Sequence, residues 1–495
     1  MTTAAPTTDP TTELTVLDPR DGSVVGTVAA ATEDEVRAAV AAARAAARDW
    51  ARTAPEQRGK TLRAAADRLS EHARELAELN TRETGKPFEE ALGGVEAGIG
   101  TLYQYAELGP VHRGRSLRGD VLAADYTVAE PRGVVVALTP WNDPVAVAAG
   151  LLGAALVSGN TVVHKPSERC PHVGARLGEI LAAALPAGVL GTVSGGAAVG
   201  ELLTGLPGVD VLAHVGSTAT GEAIARAAVG TGAHVIRENG GNDALVIDDD
   251  VDPVWAAEQA ALGAFANVGQ ICVAVERIYV HRAVAEPFLA ALTELARRRN
   301  AEGALAPLVD ERMREEVHRQ VADSVAAGAV VLEGARVPEG PGAFYPATVL
   351  GECVPGMTVM AEETFGPVAP VQVVDSFAEG LRLAAADRYG LAATVLTGRI
   401  AHAQQAVAEL PVGTLKVNNV FGGAPGGAAQ PRRASGAGFG YGPELLDEMT
   451  TRKVVHLGRP QLRGRPSAGD GRDPAASATD PVTGRATPAG AGDRA

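Results

Sequence analysis

From Gly133 onward, short β-branched runs alternate with alanine-rich segments of helical length, and this alternation limits the fold more than any other feature. The first series of runs is GVVVALTP, TVVHKP, VLGTVSGG and VDVLAHVGS. After ALVIDDD, a second series follows with RIYV, AVVLEG, APVQVV and TLKVNN. Strands that alternate with helices form parallel sheets covered by those helices. The sequence therefore predicts an α/β fold with two α/β domains, each built on an open, mostly parallel sheet.

Helical patterns precede the first series. Thr32 and Glu35 have the spacing of a capping box, and we expect the helix that they start to run to about Arg48. A second helix is indicated by apolar residues that recur along one face: Leu62, Ala66, Leu69, Ala73 and Leu76. Gly85 and Pro87 supply its end. We expect both helices to pack on a sheet.

The charge and cysteine content exclude several classes of protein. The 59 acidic residues outnumber the 44 basic ones, and the net charge of −15 argues against a nucleic-acid partner. The apolar stretch 145–157 is shorter than the roughly 20 residues that cross a bilayer, so it predicts a buried helix and no membrane partner. The cysteines Cys170, Cys272 and Cys353 are far apart, which fits a reducing cytoplasm without a disulfide framework.

The two ends of the chain differ from its body. The first residues, MTTAAPTTDPTT, have neither the basic start nor the apolar run of a secretory signal. This segment, 1–12, and the tail, 459–495, contain too few apolar residues to offset the entropy of ordering. We expect both to be disordered, and we expect the folded body, about 13–458, to be cytoplasmic.

Polar residues follow the predicted strands of the first series. Ligands bind at the carboxyl ends of parallel strands, so the loops LTPWND, VHKPSE and HVGST and the turn after HVIRE should converge on one crevice. The amides near Gly216 and Ser217 would hold a pyrophosphate there, and a helix cap without a ligand is an equal alternative. Lys165 and Glu168 would bind the hydroxyls of a ribose, with a solvated surface ion pair as the alternative.

Two residues have the chemistry of an active site. Cys272, between a helical segment and a strand, would supply a thiolate that adds to an aldehyde carbonyl. Its structural alternative is a small buried apolar residue, the interpretation that also fits Cys170 and Cys353. Glu238 lies at a strand end before a Gly-Gly turn, where its carboxylate would face a cleft or simply stabilise the turn.

Together these motifs resemble, in order and spacing, those of the NAD(P)-dependent aldehyde dehydrogenase superfamily. The corresponding segments are LTPWND, HKPSE, HVGSTATG, RENGG, GQIC and EETFGPV. The resemblance covers the chain from about Leu14 to Leu457, nearly the whole folded body. It implies an aldehyde dehydrogenase-like fold and the oxidation of an aldehyde to a carboxylic acid by the hydrolytic, non-acylating route.

The resemblance also implies roles for individual residues. Cys272 is the nucleophile, and the Asn142 amide with the Cys272 backbone N–H forms the oxyanion hole. Glu238 is the general base for hydrolysis of the acyl-cysteine thioester. Glu363 holds the nicotinamide ribose, and Phe365 lies beside the ring. The other cofactor contacts are Thr139, Pro140, Trp141, Lys165, Ser167, Glu168, Gly216 and Ser217.

The cofactor that these residues imply is NAD, with NADP possible, and no metal is implied. Glu168 favours NAD because its charge would repel a 2′-phosphate. The family's architecture implies a dinucleotide-binding domain, a catalytic domain and a small β-extension that pairs subunits in a homodimer or homotetramer. The expected bounds are 13–112 with 132–240 for the first, 241–436 for the second, and 113–131 with 437–458 for the oligomerisation extension.

The sequence departs from the family pattern at three places. Asp143 occupies a position beside the substrate channel that is usually apolar, so either the substrate is polar or cationic or this acid turns into solvent. Asn239 and Asn242 replace the more usual leucine and lysine around the Gly-Gly turn, a change that would shift Glu238 but leave its carboxylate in place. The segment PRRASGAGF, 431–439, lacks the commoner glycine-rich aromatic version at the substrate mouth.

Two alternatives to a hydrolytic enzyme remain. A CoA-acylating relative would pass the acyl group to a thiol instead of water, and the presence of Glu238 favours hydrolysis over that route. A catalytically silent paralogue would act as a binding protein. The joint presence of Cys272, Glu238 and Asn142 argues against the silent protein, which has no physical need for all three.

Overall fold

A computed structural model of the chain describes residues 13–303, 305–422, 427 and 430–460. The two segments for which we expect disorder, 1–12 and 459–495, lie outside the described residues except for 459 and 460. Among the described helices, none combines the length and the apolar character needed to cross a membrane.

Within this part of the chain, the strands are β1 (Glu13–Leu17), β2 (Val24–Ala29), β3 (Ser116–Leu117), β4 (Ala124–Pro131), β5 (Val134–Leu138), β6 (Thr161–Lys165), β7 (Leu190–Thr192), β8 (Val211–Val215), β9 (His234–Glu238), β10 (Asp243–Ile247), β11 (Val275–His281), β12 (Val330–Glu333), β13 (Thr348–Gly351), β14 (Val368–Val374), β15 (Ala392–Leu396), β16 (Thr414–Val417), β17 (Gly436–Ala437) and β18 (Thr450–Leu457).

The α-helices of the same residues are α1 (Glu33–Arg52), α2 (Pro55–Glu71), α3 (Ala73–Thr84), α4 (Phe88–Val111), α5 (Pro144–Val157), α6 (Pro171–Ala182), α7 (Ala197–Gly205), α8 (Thr218–Thr231), α9 (Pro253–Phe265), α10 (Arg282–Glu302), α11 (Glu311–Ala326), α12 (Thr358–Ala361), α13 (Phe377–Ala385), α14 (Ile400–Glu409) and α15 (Glu444–Glu448).

The first series of runs forms a six-stranded sheet in the order β17-β9-β8-β5-β6-β7. Strands β5 to β9 pair in parallel, and the short β17 pairs antiparallel with the outer side of β9. All five residues of β5, VVVAL, are buried, as expected for a strand covered by helices on both faces. The predicted buried helix at 145–157 is α5, which begins with a proline and packs in the same core.

The second series forms a seven-stranded sheet in the order β12-β13-β14-β11-β10-β15-β16. Its strands pair in parallel except β12, which runs antiparallel to β13. Helices α9 and α10 cover one side of this sheet. Helices α11 and α13 pack in a separate apolar cluster. The predicted α/β fold with two mostly parallel sheets is therefore confirmed.

Several local predictions differ from the structure. The capping box of Thr32 and Glu35 is present, but α1 extends to Arg52 instead of about Arg48. The predicted second helix is two helices, because the chain breaks at His72 between α2 and α3. Gly85 ends α3 in the left-handed conformation, with φ of 75°, as a helix-terminating glycine does.

The chain separates into two compact units, of which the first holds both large sheets and consists of the residues up to Gly114 together with Val128–Lys453. The second unit consists of Arg115–Thr127 and the described residues from Val454 to 460. In the second unit His456 Nδ1 lies 2.6 Å from Asp125 Oδ1. The predicted boundary between a dinucleotide-binding and a catalytic domain remains a prediction. The two large sheets meet at residues 239–242, which connect β9 to β10.

Candidate active site

The loops that the sequence singles out follow the carboxyl ends of neighbouring parallel strands. β5, β6, β8 and β9 end at Leu138, Lys165, Val215 and Glu238, and they are adjacent in the six-stranded sheet. Their in-register parallel pairing puts these ends at one edge of the sheet. Side chains on all four following loops therefore lie along one edge.

The Cys272 thiol is exposed, whereas Cys170 and Cys353 are buried. Cys272 follows α9 and a tight turn, Ala266–Gly269, and precedes β11. In that turn Asn267 and Val268 have left-handed backbones with φ of 46° and 57°, a conformation that costs energy for a branched residue such as valine. The surrounding structure thus holds this loop in a strained conformation.

The Asn142 side chain is hydrogen-bonded to the loop that carries Cys272. Its Nδ2 donates to the Gln270 carbonyl oxygen at 3.1 Å. The Nδ2 of Asn267 donates to that same oxygen, also at 3.1 Å. Because a primary amide has two N–H groups, Asn142 retains a second donor after this bond.

The surroundings of Cys272 favour the neutral thiol. Enclosure by protein, and after it the negative charges of Glu238, Asp243 and Glu363, together raise the pKa of this thiol to about 12. The side chain itself remains solvent-accessible, so we attribute the shift to the nearby acids and to partial desolvation together. At neutral pH the free enzyme therefore holds a protonated thiol.

Glu238 is the last residue of β9, and its carboxylate is fixed by the C-terminal part of the chain. Its Oε1 accepts the Gly440 backbone N–H at 2.9 Å. A side chain at position 440 would overlap Glu238, so only glycine allows this approach. Burial raises the pKa of Glu238 to about 7, which is the range in which a carboxylate serves as a general base at neutral pH.

The Gly-Gly turn after Glu238 brings the loop that carries Cys272 close to Glu363. The Gly241 N–H donates to Glu363 Oε1 at 3.0 Å. A Cβ at Gly241 would lie 2.8 Å from the Cys272 carbonyl oxygen, and one at Gly240 would overlap the Glu363 carboxylate. Asn239 and Asn242, which depart from the family pattern, are buried and bond to the Ala434 and Met360 carbonyl oxygens at the two ends of this turn.

Aromatic residues assigned to the cofactor pack against each other. The rings of Trp141 and Phe365 are edge-to-face with centroids 5.6 Å apart. The Arg169 guanidinium lies 5.1 Å from the Trp141 ring and pairs with Asp310, Nε to Oδ2, at 2.8 Å. Phe365 itself has a left-handed backbone with φ of 53°.

The loop after β6 carries one buried and one exposed charge. Lys165 is buried, and its Nζ lies 3.8 Å from Glu168 Oε2 and donates to the Pro166 carbonyl oxygen at 3.1 Å. Burial lowers the pKa of Lys165, while the Glu168 charge opposes that shift. Ser167 is buried, and its Oγ accepts the Arg169 N–H at 3.3 Å.

The turn after β8 is a capped helix start. Ser217 is the N-cap of α8, and its Oγ accepts the Thr220 N–H. The Gly216 N–H donates to the Glu238 carbonyl oxygen at 3.0 Å, so it is already engaged in the sheet. Thr139 is buried, with its Oγ1 2.9 Å from His164 Nε2, and its side chain therefore faces the protein interior. Pro140, between Thr139 and Trp141, is partly exposed.

Asp143 lies at the start of α5 against α4. Its Oδ1 is 3.9 Å from Nζ of the buried Lys86. Burial raises the pKa of Asp143, and the Lys86 charge opposes this. The acid therefore has a cation of the protein beside it.

Sequence reasoning missed two further acids near the site. Asp243, the first residue of β10, is buried and accepts the Ala392 N–H at 3.0 Å, and burial raises its pKa to about 8. Glu276 on β11 is buried and accepts two backbone N–H groups next to Glu363. For Glu276, the signal in the sequence is an acidic residue followed by an arginine inside an otherwise apolar strand run, VAVERIYV, a pattern that equally fits a solvent-facing position.

A cavity of about 620 Å³ lies elsewhere, among residues that include Arg299, Glu333 and Tyr345. None of the described residues that line it is a predicted site residue. Because its lining contains none of the candidate reactive groups, this cavity is not part of the candidate site at the strand ends.

Comparison with known proteins identifies the family. The sequence model of the aldehyde dehydrogenase family matches residues 6–455. Betaine aldehyde dehydrogenase 1 of Rhizobium meliloti (strain 1021) is 34% identical over 463 residues, which cover 89% of this chain and 93% of that protein. The α-ketoglutarate semialdehyde dehydrogenase of Haloferax volcanii is 36% identical over 427 residues, covering 83% of this chain and 88% of the relative.

A solved structure agrees with these sequence matches. Betaine aldehyde dehydrogenase from Staphylococcus aureus in complex with NAD+ has a TM-score of 0.88 and 29% identity, and the match covers 91% of this chain and 93% of that chain. The chain therefore belongs to the aldehyde dehydrogenase family and is an aldehyde-oxidising enzyme, which confirms the family predicted from its motifs.

Proposed function

We propose that this protein oxidises an aldehyde to a carboxylic acid through a thioester on Cys272, with NAD as the hydride acceptor. The observation that supports this most strongly is the exposed Cys272 thiol, close enough to the Glu238 carboxylate for its charge to raise the thiol pKa. The Asn142 amide is bonded to the loop that carries the same cysteine.

In the first stage, Cys272 Sγ attacks the aldehyde carbon and its proton leaves to solvent, to which the side chain is exposed. The carbonyl oxygen becomes an alkoxide, which accepts the second N–H of Asn142 and the Cys272 backbone N–H. Collapse of this adduct restores the C=O bond and expels the hydride. An acyl-cysteine thioester remains, and the aldehyde carbon has been oxidised by two electrons.

In the second stage, Glu238 takes a proton from water as the water oxygen attacks the thioester carbon. The tetrahedral adduct then expels the Cys272 sulfur and releases the carboxylic acid. Glu238 suits this role because its pKa of about 7 leaves much of it ionised at neutral pH. The presence of this acid favours hydrolysis over transfer to a CoA thiol. It also argues, with Cys272 and Asn142, against a silent binding protein.

The nicotinamide cofactor supplies the hydride acceptor, and the residues present fit it. The first turn of α8, with its Ser217 cap, is a helix N-terminus that favours a pyrophosphate. Glu168 is half exposed beside Lys165, as an acid that binds ribose hydroxyls must be. Its charge would repel a 2′-phosphate, so we propose NAD as the preferred cofactor and NADP as the weaker one. The S. aureus relative was solved with NAD+.

Membership of the family does not identify the aldehyde, because its members are named for different aldehydes. The two curated relatives are named for betaine aldehyde and for α-ketoglutarate semialdehyde, which carry opposite charges. Asp143 does not favour either aldehyde, because Lys86 lies beside it.

We also propose that 113–131 and 437–458 pair subunits in a homodimer or homotetramer, and that 13–112 with 132–240 and 241–436 form the two larger domains.

The experiment that tests this function is an aldehyde panel with each cofactor. Cationic, anionic, aromatic and aliphatic aldehydes are incubated with NAD or NADP, and the absorbance of the reduced nicotinamide is followed. We expect reduction of NAD with at least one aldehyde and formation of the matching acid in equal amount. Reduction without free acid, or only in the presence of CoA, would contradict the hydrolytic route.

A further inference from the structure

Glu276 is a buried acid on β11, four positions after the nucleophile in the sequence. Only 4% of its surface is exposed. Its Oε2 accepts the Thr364 N–H and its Oε1 accepts the Phe365 N–H, both at 3.0 Å. Both oxygens of the carboxylate are thus bonded to consecutive backbone amides.

The chain around Thr364 and Phe365 needs such a partner. Phe365 has φ of 53°, and a left-handed residue after an ordinary one turns consecutive N–H groups toward a common point. Such a concave pair of donors binds a carboxyl group, and here that group is a side chain of the protein itself. The left-handed region is costly for a bulky aromatic residue, and the two hydrogen bonds to Glu276 offset this cost.

This turn carries the two side chains that we assign to the nicotinamide half of the cofactor. Glu363 directly precedes Thr364, and its Oε1 accepts the Gly241 N–H at 3.0 Å. The Phe365 ring contacts Trp141 edge-to-face. A change in the backbone at 364–365 would move Glu363 and Phe365 together, because they flank the bonded amides.

We propose that Glu276 is a positioning residue: by binding the Thr364 and Phe365 amides, it fixes Glu363 and Phe365 against the nicotinamide half of the cofactor. This proposal rests on the proposed function, in which Glu363 and Phe365 contact that half. Glu276 does not touch substrate or cofactor and acts through the turn. It also connects the strand that follows Cys272 to the side chains that orient the hydride acceptor.

The chain offers a matched control elsewhere. Glu83 is also buried, with 1% exposure, and it also binds two consecutive backbone amides, those of His172 and Val173 at the start of α6, at 3.0 and 2.8 Å. None of the residues assigned to catalysis or cofactor binding lies among these partners. Glu83 Oε1 also lies 2.7 Å from His172 Nδ1. Replacing Glu83 therefore perturbs the same kind of backbone pair, together with this ring contact, without touching the turn at 364–365.

The test compares Glu276→Gln with Glu83→Gln in the full-length enzyme. In each variant a glutamine oxygen accepts one amide, but its NH2 group faces the other N–H. Dissociation constants are measured for NADH by its fluorescence and for ADP by calorimetry. ADP carries the adenosine and pyrophosphate and lacks the nicotinamide and its ribose. The rate of the first hydride transfer is then measured in the stopped flow with an aldehyde that the wild-type enzyme oxidises.

We expect Glu276→Gln to weaken NADH binding about tenfold while ADP binding stays within about twofold, as loss of one ordering hydrogen bond would do. The first hydride transfer should slow as well in Glu276→Gln. Glu83→Gln should change neither the ratio of the NADH and ADP dissociation constants nor the rate of hydride transfer, even where both variants lower Tm equally. An unchanged ratio of the NADH and ADP constants in Glu276→Gln would overturn the proposal. If Glu276→Gln does not fold, the same ratio of NADH and ADP dissociation constants is measured for Glu276→Asp and Glu83→Asp, and the proposal is judged on that pair.

A failure of the proposed function gives a different result. In that case the wild-type enzyme itself would bind no NADH and oxidise no aldehyde in the panel. A wild-type enzyme that binds NADH and turns over, with Glu276→Gln indistinguishable from Glu83→Gln, would instead refute the positioning role alone.

Discussion

The Glu238 carboxylate and the Gly440 backbone N–H are hydrogen-bonded at 2.9 Å although 202 positions separate them in the chain. The bond fixes one oxygen of the proposed general base, and among the described residues the other oxygen has no hydrogen-bond partner. The orientation of Glu238 therefore depends on a C-terminal segment in which the sequence departs from the usual family pattern.

Replacing Gly440 by alanine should misplace Glu238, because the added methyl group would overlap its side chain. We expect thioester hydrolysis to slow by about 10- to 100-fold, the effect of moving a catalytic group by about 1 Å, while the first hydride transfer is nearly unchanged. Rapid-quench measurement of acyl-enzyme separates the two stages. Gly93→Ala on α4, where an added methyl group meets no neighbour, is the control and should leave both rates intact.

Glu238→Gln should give one equivalent of reduced cofactor per active site and then stall. The glutamine cannot accept the proton of the attacking water, so the thioester accumulates. A stopped-flow burst followed by mass spectrometry of the intact protein detects both the burst and the acyl adduct. Steady turnover at the wild-type rate would remove Glu238 from the role of base.

The two stages should differ in their dependence on pH. The pKa of Glu238 is about 7, so thioester hydrolysis should be lost as pH falls below 7 and level off above it. The Cys272 pKa is raised to about 12, so the rate of the first stage should continue to rise with pH beyond the point where hydrolysis has levelled. Single-turnover rates from pH 5.5 to about 9.5 give both profiles. A first stage that levels off at the same pH as hydrolysis would contradict this separation.

Cys272→Ala should lower aldehyde oxidation by about 10⁴-fold or more and leave NADH binding intact, because only the nucleophile is lost. Cys353→Ala is the matched control. Its thiol is buried in the core of the second sheet, so its loss should cost roughly 1 kcal/mol of stability without changing turnover. Turnover and NADH fluorescence are measured on both variants. Residual oxidation at the wild-type rate in Cys272→Ala would refute the nucleophile.

Asp387→Asn should destabilise the protein because it removes the direct ion-pair partner of the buried Arg277 guanidinium. The two side chains are only 5% and 7% exposed and lie 2.8 Å apart. We expect the free energy of unfolding to fall by about 3–5 kcal/mol, measured by urea titration. Asp323→Asn removes one of the two exposed acids that pair with Arg319, the other being Glu316, and should cost less than about 1 kcal/mol. Equal losses in the two variants would contradict the role of burial.

The two sheets could be predicted from the sequence because strands covered on both faces appear as continuous apolar runs, as in VVVAL of β5. The same rule failed at β15, a buried strand next to the edge strand β16 of the second sheet. Its sequence, AATVL, begins with two alanines and resembles the neighbouring helices. The break at His72 has no glycine or proline to mark it.

Cys272, Asn142 and Glu238 could be assigned from local motifs. The residues that position these side chains could not be predicted from the sequence. Glu276 and Gly440 act through hydrogen bonds to backbone or carboxylate groups 88 to 202 positions away, and one sequence contains no sign of which distant segments meet. From the sequence, Glu276 resembles an exposed strand residue, but in the fold it is buried and binds two backbone amides.

The pairing of β17 with β9 also has a consequence for biosynthesis. β9 leaves the ribosome long before β17, and the 202 residues that separate Glu238 from Gly440 take about 10–40 s to translate at 5–20 residues per second. During that time the growing polypeptide has one outer strand without its neighbour, open to pairing with other chains. Nascent copies stalled before residue 436 should therefore recruit chaperones or aggregate more readily than copies released after it.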